Sequence, residues 1–181
     1  PVSDNTKLRR AREAGAYAVK LVKAGRKPSQ LITREVLMNA VMFDMAVAGS
    51  TNAVLHLLSY AYELGIPMSL ADFETYAGQI PCINAVVPSG PYTVVDFHYA
   101  GGVMNVMKQL ESRLFTDVPD MYGTTWKEML SKVTPQENKV IHSLERPLCN
   151  EPGLKILRGN LSPNGAIVRP TAVYEEVRYL K

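Results

Sequence analysis

The chain has little cysteine and no long hydrophobic run, and each shortage excludes a class of protein. Its 181 residues include two cysteines, Cys82 and Cys149, which lie far apart and form no Cys-x-x-Cys pair. Because no histidine lies at ligand spacing, these thiols predict no metal site, and we expect both to be buried, reduced and inert. Apolar runs such as residues 53–58 are far shorter than the roughly 20 residues that a membrane-spanning helix needs.

Charge of one sign is not concentrated in any stretch either. The sequence carries 20 basic and 17 acidic residues, a net charge of +3, and the two signs are interspersed. This pattern offers no basic stripe for a phosphate backbone, so nucleic acid is not an expected partner. The run Lys7-Leu8-Arg9-Arg10 predicts instead the solvated face of an opening helix. The polar N-terminal sequence predicts no signal peptide and a cytoplasmic protein.

What the chain does have is helical periodicity, with 46% hydrophobic residues to bury. Apolar residues at three- and four-residue spacing, with capping residues before them, predict several helices. These span Asn5–Ala24, a Thr33-capped segment to Val47, Ala53–Leu64, a Ser69-capped segment to Ala77, Val103–Leu114 after Gly101-Gly102, and a Thr125-capped segment to about Val133. The third is apolar nearly all round, which predicts burial on several sides, with His56 as a core residue.

The character of the sequence changes after Thr134. Frequent proline and glycine separate short apolar pieces, which predict strands at Leu154–Leu157 and Ala166–Val168 joined by a turn at Ser162-Pro163-Asn164-Gly165. A further extended segment is predicted at Cys82–Val87. A helical region therefore gives way to a β-rich one, with the boundary somewhere in residues 134–152.

Three small polar residues, Ser50, Thr51 and Asn52, follow Gly49 and precede the apolar helix. Such side chains can accept hydrogen bonds from the free amides of a helix's first turn, and those amides also favour a carboxylate or phosphate. Two interpretations stay open on this local pattern. The three residues either line a ligand site or simply cap a helix.

Several motifs resemble, in order, those of the dihydroxy-acid dehydratase and phosphogluconate dehydratase family. The most specific are the Gly-Ser-Thr-Asn turn and the later Gly-Asn-Leu-Ser-Pro-Asn-Gly segment. The matching segments are Asn39-Ala40, residues 49–57, Pro88-Ser89-Gly90, residues 100–103 and residues 159–166. Ala48 departs from the family pattern, in which a second glycine is expected before Gly49.

The resemblance implies an internal fragment of an α/β hydro-lyase. Residues 1–140 would be the later, helix-rich part of a three-layer α/β/α N-terminal domain, and residues 141–181 the linker and start of a β-rich C-terminal domain. Members remove water from a 2,3-dihydroxy carboxylic acid or sugar acid to give a 2-keto acid, in amino-acid biosynthesis or sugar-acid metabolism. The resemblance also implies a small hydroxy-acid substrate and a homo-oligomer.

The family's cofactors are an iron–sulfur cluster and Mg²⁺, because the hydroxyl leaving group needs a Lewis acid and the enolate a hard cation. Their ligands and the catalytic base belong to motifs upstream and downstream of this chain. Neither Cys82 nor Cys149 lies in such a motif, so no metal-ligating or catalytic residue is assigned, and the chain alone is expected to be inactive. The site residues carried over are Ser50, Thr51 and Asn52, as substrate-binding residues.

One alternative function is a non-catalytic domain that binds a small anion or a protein partner through the glycine turn. Other polar residues could be combined into an acid–base set, but no pairing follows from their spacing. We expect solvated positions for these residues, which are Asp44, Glu63, Asp96 and His98.

Overall fold

The computed structural model describes residues 4–173. In this part of the chain, helices come first and a two-stranded sheet comes last. The helices are α1 Asn5–Lys23, α2 Arg34–Ala46, α3 Thr51–Glu63, α4 Leu70–Ala77, α5 Val94–Tyr99, α6 Gly102–Gln109 and α7 Trp126–Leu130, and the strands are β1 Lys155–Gly159 and β2 Ser162–Val168. The predicted helices are confirmed with ends shifted by up to three residues, except that the helix expected over Val103–Leu114 begins one residue earlier and ends five residues earlier, at Gln109.

Helix α2 is the centre of the hydrophobic core. Thr33 caps it by accepting from the backbone N–H of Val36, and eight of its thirteen residues are buried. Helices α3, α4 and α6 pack against it. Phe73 on α4 and Val106 on α6 are fully buried in the same cluster, so the core is built around one helix rather than between two layers.

Helix α1 lies outside this core. It is capped by Asp4 and contains no buried residue. The basic run at its start is therefore solvated, as predicted. Within residues 4–173, none of the helices has the length and apolar character required to cross a membrane.

Two extended segments join the first part of the chain to the last. The segment that contains Cys82 and Asn84 forms isolated antiparallel bridges to Cys149 and Ile141. The backbone N–H of Ile83 also donates to the carbonyl of Ala46, at the end of α2, at 2.8 Å. The stretch predicted as a strand or extended segment at Cys82–Val87 is thus extended and forms isolated bridges rather than a continuous ladder.

Strands β1 and β2 form an antiparallel hairpin, and the predicted position of its turn was wrong. Gly159 pairs with Ser162, so the chain reverses at Asn160 and Leu161. The segment Ser162–Gly165 lies inside β2. Its Ser162 Oγ does donate locally to the Gly165 carbonyl, but cross-strand pairing decides where the turn falls. The described residues are thus helix-rich with one small sheet, which is compatible with an α/β fold.

The predicted burial of α3 on several sides was also wrong. Of its thirteen residues, Val54 and Ala61 are buried, whereas His56 is exposed rather than a core residue. Leu55 is 63% exposed and Tyr62 84% exposed. Only one side of this apolar helix meets the core in residues 4–173, so its remaining apolar surface faces outward.

Candidate functional site

The turn between α2 and α3, residues 47–50, is strained and tightly packed. Ala48 has a positive φ of 47°, a conformation that costs an L-residue with a side chain and that glycine adopts freely. This is the position at which the resemblance described above leads us to expect glycine. A Cβ added to Gly49 would collide with the Asp44 carboxylate, and one added to Gly153 would collide with the backbone of Ala48. Glycine at both positions therefore allows the close approach.

Ser50 is the N-cap of α3. Its Oγ accepts from the backbone N–H of Asn52 at 3.1 Å. Thr51, the first helical residue, has an amide without an intrahelical acceptor, and the positive end of the helix dipole lies here. Ser50, Thr51 and Asn52 are all exposed. Ser50 therefore provides the cap, and the side chains of Thr51 and Asn52 are not part of the capping hydrogen bond.

Asp44, expected in solvent, is instead buried, with 6% of its surface exposed. It lies on α2 and accepts from the backbone N–H of Ser50, while its burial raises the pKa of the carboxyl to about 6, against the opposing effect of Arg169 and that hydrogen bond. The expectation failed because the turn at Gly49 and Ser50 packs against the Asp44 carboxylate, with Arg169 nearby. The useful signal in the sequence was the position of Asp44 beside the apolar stripe, shortly before Gly49.

Arg169, at the end of β2, completes the surroundings of the turn. Its guanidinium donates to the carbonyl of Gly49. Buried polar atoms without a partner in the described residues are Asp44 Oδ2, Asn84 Oδ1 and Arg169 Nε. Sequence reasoning missed both Arg169 and Asn84, because a single arginine or asparagine far along the chain gives no local signal of this contact.

Two concave surfaces flank the turn. The apolar groove, which lies between α2, α3, α6 and α7, has a volume of about 630 Å³ and includes Asn39, Asp44, His56 and Trp126 in its lining. A smaller cavity of about 280 Å³ is lined by Gly49, Asn84 and Arg169 among mainly apolar residues. The second combines a cationic side chain with an unpaired acceptor, which suits a small anion that also carries a hydroxyl.

The other polar candidates do not gather at this turn. Asp96 caps α5 reciprocally with Thr93, and its hydrogen bonds to Thr93 lower the pKa of the carboxyl. His98 is exposed and makes an edge contact with Tyr99. Glu63 is exposed at the end of α3, so these three are solvated as expected.

The residues of this chain do not fit an iron–sulfur cluster. Within residues 4–173 no three side chains of histidine, cysteine, aspartate or glutamate lie close enough to hold a metal ion. Cys82 is buried, as expected, whereas Cys149 is only half-buried. Two thiols could satisfy at most part of the ligand set that such clusters take.

Two family models together match most of the chain. Residues 1–129 match the family model described as dihydroxy-acid/6-phosphogluconate dehydratase N-terminal, and residues 139–181 match the corresponding C-terminal model.

Relatives named dihydroxy-acid dehydratase are similar along almost all of the chain. The one from Methanoregula boonei is 41% identical over 177 residues, covering 98% of this chain and 32% of the relative. The relative from Aeropyrum pernix is 37% identical, and the match covers 93% of this chain and 31% of the relative. The relative from Methanosarcina barkeri is 38% identical, and the match covers 97% of this chain and 32% of the relative. The chain thus spans about a third of the length of these relatives.

Proposed function

Because this chain belongs to the dihydroxy-acid/6-phosphogluconate dehydratase family, we propose that it acts as part of a hydro-lyase. The whole protein would convert a 2,3-dihydroxy carboxylic acid or a sugar acid to a 2-keto acid. The family match over residues 1–129 carries this proposal. The identity to proteins named dihydroxy-acid dehydratase favours a dihydroxy acid, whereas residues 96–102 resemble sugar-acid dehydratases somewhat more.

The role proposed for this chain is to hold the substrate's carboxylate at the start of α3. Ser50, Thr51 and Asn52 are the substrate-binding residues in this proposal. Support comes from the exposed first turn of a thirteen-residue helix, whose amides and dipole favour an anion. Arg169 adds a positive charge beside Gly49. These groups bind and orient the substrate, and no proton transfer is assigned to them.

The remaining parts of the site are proposed to lie in the rest of the protein. These are an iron–sulfur cluster with Mg²⁺, which supply Lewis-acid chemistry when bound, and the catalytic base. Residues 1–140 would complete a three-layer α/β/α domain, and residues 141–181 would begin a β-rich one. We further propose a cytoplasmic homo-oligomer, and a chain that has no dehydratase activity by itself.

Substitution of Asn52 in the whole protein tests the role of the turn. Asn52→Ala keeps the backbone N–H that Ser50 Oγ accepts from, so the cap survives. We expect kcat/KM to fall at least about tenfold, the effect of losing about 1.4 kcal/mol of interaction with the transition state, with little change in melting midpoint. Steady-state dehydration of 2,3-dihydroxyisovalerate and of a panel of aldonic acids measures this and identifies the substrate.

Two further variants separate binding from capping. Ser50→Ala removes the cap and should cost about 1 kcal/mol of stability. Glu63→Ala, exposed at the other end of the same helix, should change neither activity nor stability. An Asn52→Ala protein with full activity would mean that the turn is structural, and a whole protein that dehydrates no substrate in the panel would refute the hydro-lyase assignment.

A further inference from the structure

Cys82 and Cys149 are 67 positions apart in sequence, but the fold sets them side by side. The backbone N–H of Cys82 donates to the carbonyl of Cys149 at 3.1 Å, and that of Cys149 donates back to Cys82 at 3.2 Å. They are therefore a directly opposed, hydrogen-bonded pair of an antiparallel bridge. Nothing in the two cysteines' local sequence predicts this pairing.

The bridge geometry brings the two thiols within reach of one another. Opposed residues of a hydrogen-bonded antiparallel pair have Cα atoms about 5.5 Å apart, which lies inside the range of about 4.4–6.8 Å seen for disulfides. Their side chains also point to the same face of the ladder. The charge of Cys149 is among the causes that raise the pKa of the Cys82 thiol, after burial, as expected for neighbours.

We propose that Cys82 and Cys149 form a reversible disulfide, a redox modification site that joins the two parts of the chain. Both thiols are free in the structure, with Cys82 buried and Cys149 half-buried. Cys82 lies in the part that matches the N-terminal family model and Cys149 in the part that matches the C-terminal one. The cross-link would thus tie these two regions together covalently.

The accessibility of the two thiols sets the order of the chemistry. With glutathione disulfide as oxidant, the half-buried Cys149 thiolate attacks one glutathione sulfur, which breaks that disulfide and releases one glutathione thiolate. Cys82 then attacks the Cys149 sulfur, which forms the protein disulfide and releases the second glutathione. The two thiol protons pass to the released thiolates, so two protein thiols are oxidised and one glutathione disulfide is reduced to two thiols.

The cross-link would fix the segment on which the candidate site rests. Ile83, the neighbour of Cys82, donates to the carbonyl of Ala46, and Asn84 Nδ2 donates to the carbonyl of Val47 at 3.1 Å. Both acceptors belong to the chain that leaves α2 for the Ser50 turn. Oxidation should therefore raise the melting midpoint of the chain, since the bond constrains the unfolded state.

The test equilibrates the full 181-residue chain with glutathione buffers of increasing oxidised fraction. Because the sequence has only these two cysteines, an intact mass lower by two hydrogens, with a non-reduced peptide pair containing both, identifies the bond. We expect the folded chain to oxidise at a glutathione ratio at least tenfold more reducing than the chain unfolded in guanidinium. Reductant should restore both thiols.

A variant with the cysteine moved by one residue tests whether the bridge geometry causes the oxidation. The double variant Cys149→Ser, Asn150→Cys moves the thiol by one residue, to the other face of the ladder, at an exposed position. It should oxidise no more readily than the unfolded chain. Equal oxidation of the folded and unfolded wild-type chains, a stable mixed disulfide on Cys149, or cross-links only between molecules would each overturn the proposal. The first comparison decides even if the variant fails to fold.

Discussion

Helices α2 and α3 each have thirteen residues and are neighbours in the chain, but they differ in what surrounds them. Eight residues of α2 are buried, against two of α3, although α3 carries apolar residues on nearly every side. In residues 4–173 the core surrounds α2, whereas α3 packs against it with one side only.

An apolar helix sequence predicts burial, but it does not indicate which surface covers the helix. Tyr62 and Leu55 expose 84% and 63% of their surface, on a helix that belongs to a chain spanning about a third of its relatives. We expect this face to be covered by the remaining protein or by a second copy.

A core truncation on α2 should be much more costly than the same kind of truncation on α3. Met42 is 1% exposed and Leu55 is 63% exposed. Met42→Ala should lower the free energy of unfolding by about 2–5 kcal/mol through lost burial and a cavity, whereas Leu55→Ala should stay within about 0.5 kcal/mol. Urea denaturation of the chain measures both. If both variants lost the same free energy of unfolding at every protein concentration, the contrast between the helices would be contradicted.

The buried carboxylate on α2 should cost stability near neutral pH. The pKa of Asp44 is about 6 in the fold, against 3.8 for an unperturbed aspartate. The folded state therefore binds this proton more tightly, so the contribution of Asp44 to stability is most favourable below pH 3.8, falls as the pH rises through about 6, and stays reduced above it. This difference corresponds to about 3 kcal/mol.

Asp44→Asn removes that charge and should stabilise the chain by up to about 3 kcal/mol above pH 7, with the gain vanishing below pH 3.8. Melting midpoints across pH 3–8 give the profile. Asp96→Asn is the matched control, because hydrogen bonds from Thr93 lower the pKa of Asp96, and its loss should act in the opposite direction. A pH-independent effect of Asp44→Asn would show that its charge is not the cause.

The smallest expected change in stability comes from the exposed face of α3. Tyr62→Lys should alter the free energy of unfolding by no more than about 0.5 kcal/mol, yet weaken self-association of the chain, because large exposed apolar patches drive association. Sedimentation equilibrium compares it with Val22→Lys on α1, a residue that is 78% exposed. A wild-type chain that is already a monodisperse monomer would contradict this expectation.

Helix starts could be predicted from sequence because their signals are local. Thr33, Ser69 and Thr125 each cap the helix that follows, within a few residues of their partners. The surroundings of the candidate site could not be predicted in the same way. Asp44 is buried where the turn at Gly49 and Ser50 packs against its carboxylate, and Arg169 donates to Gly49, 120 positions earlier in the sequence. Contacts of that separation depend on packing, which no local pattern encodes.

The β1–β2 hairpin is a second case in which a local sequence pattern did not predict the structure. Pro163, Asn164 and Gly165 are turn formers, and Gly165 does have a positive φ of 106°. The chain nevertheless continues through them as β2, because Ile156 and Leu157 pair with Ile167 and Ala166. Turn chemistry marked an unusual backbone position correctly, but strand pairing decided which residues reverse the chain.

The close contact between Ala48 and Gly153 limits which substitutions this turn can accept. A side chain at position 153 would meet the backbone of residue 48, not only its methyl group. Exchange of alanine for glycine at position 48 therefore leaves the requirement at position 153 unchanged. An ancestor could have gained or lost the strained alanine in one step, without a compensating substitution, whereas glycine at position 153 is required in either background.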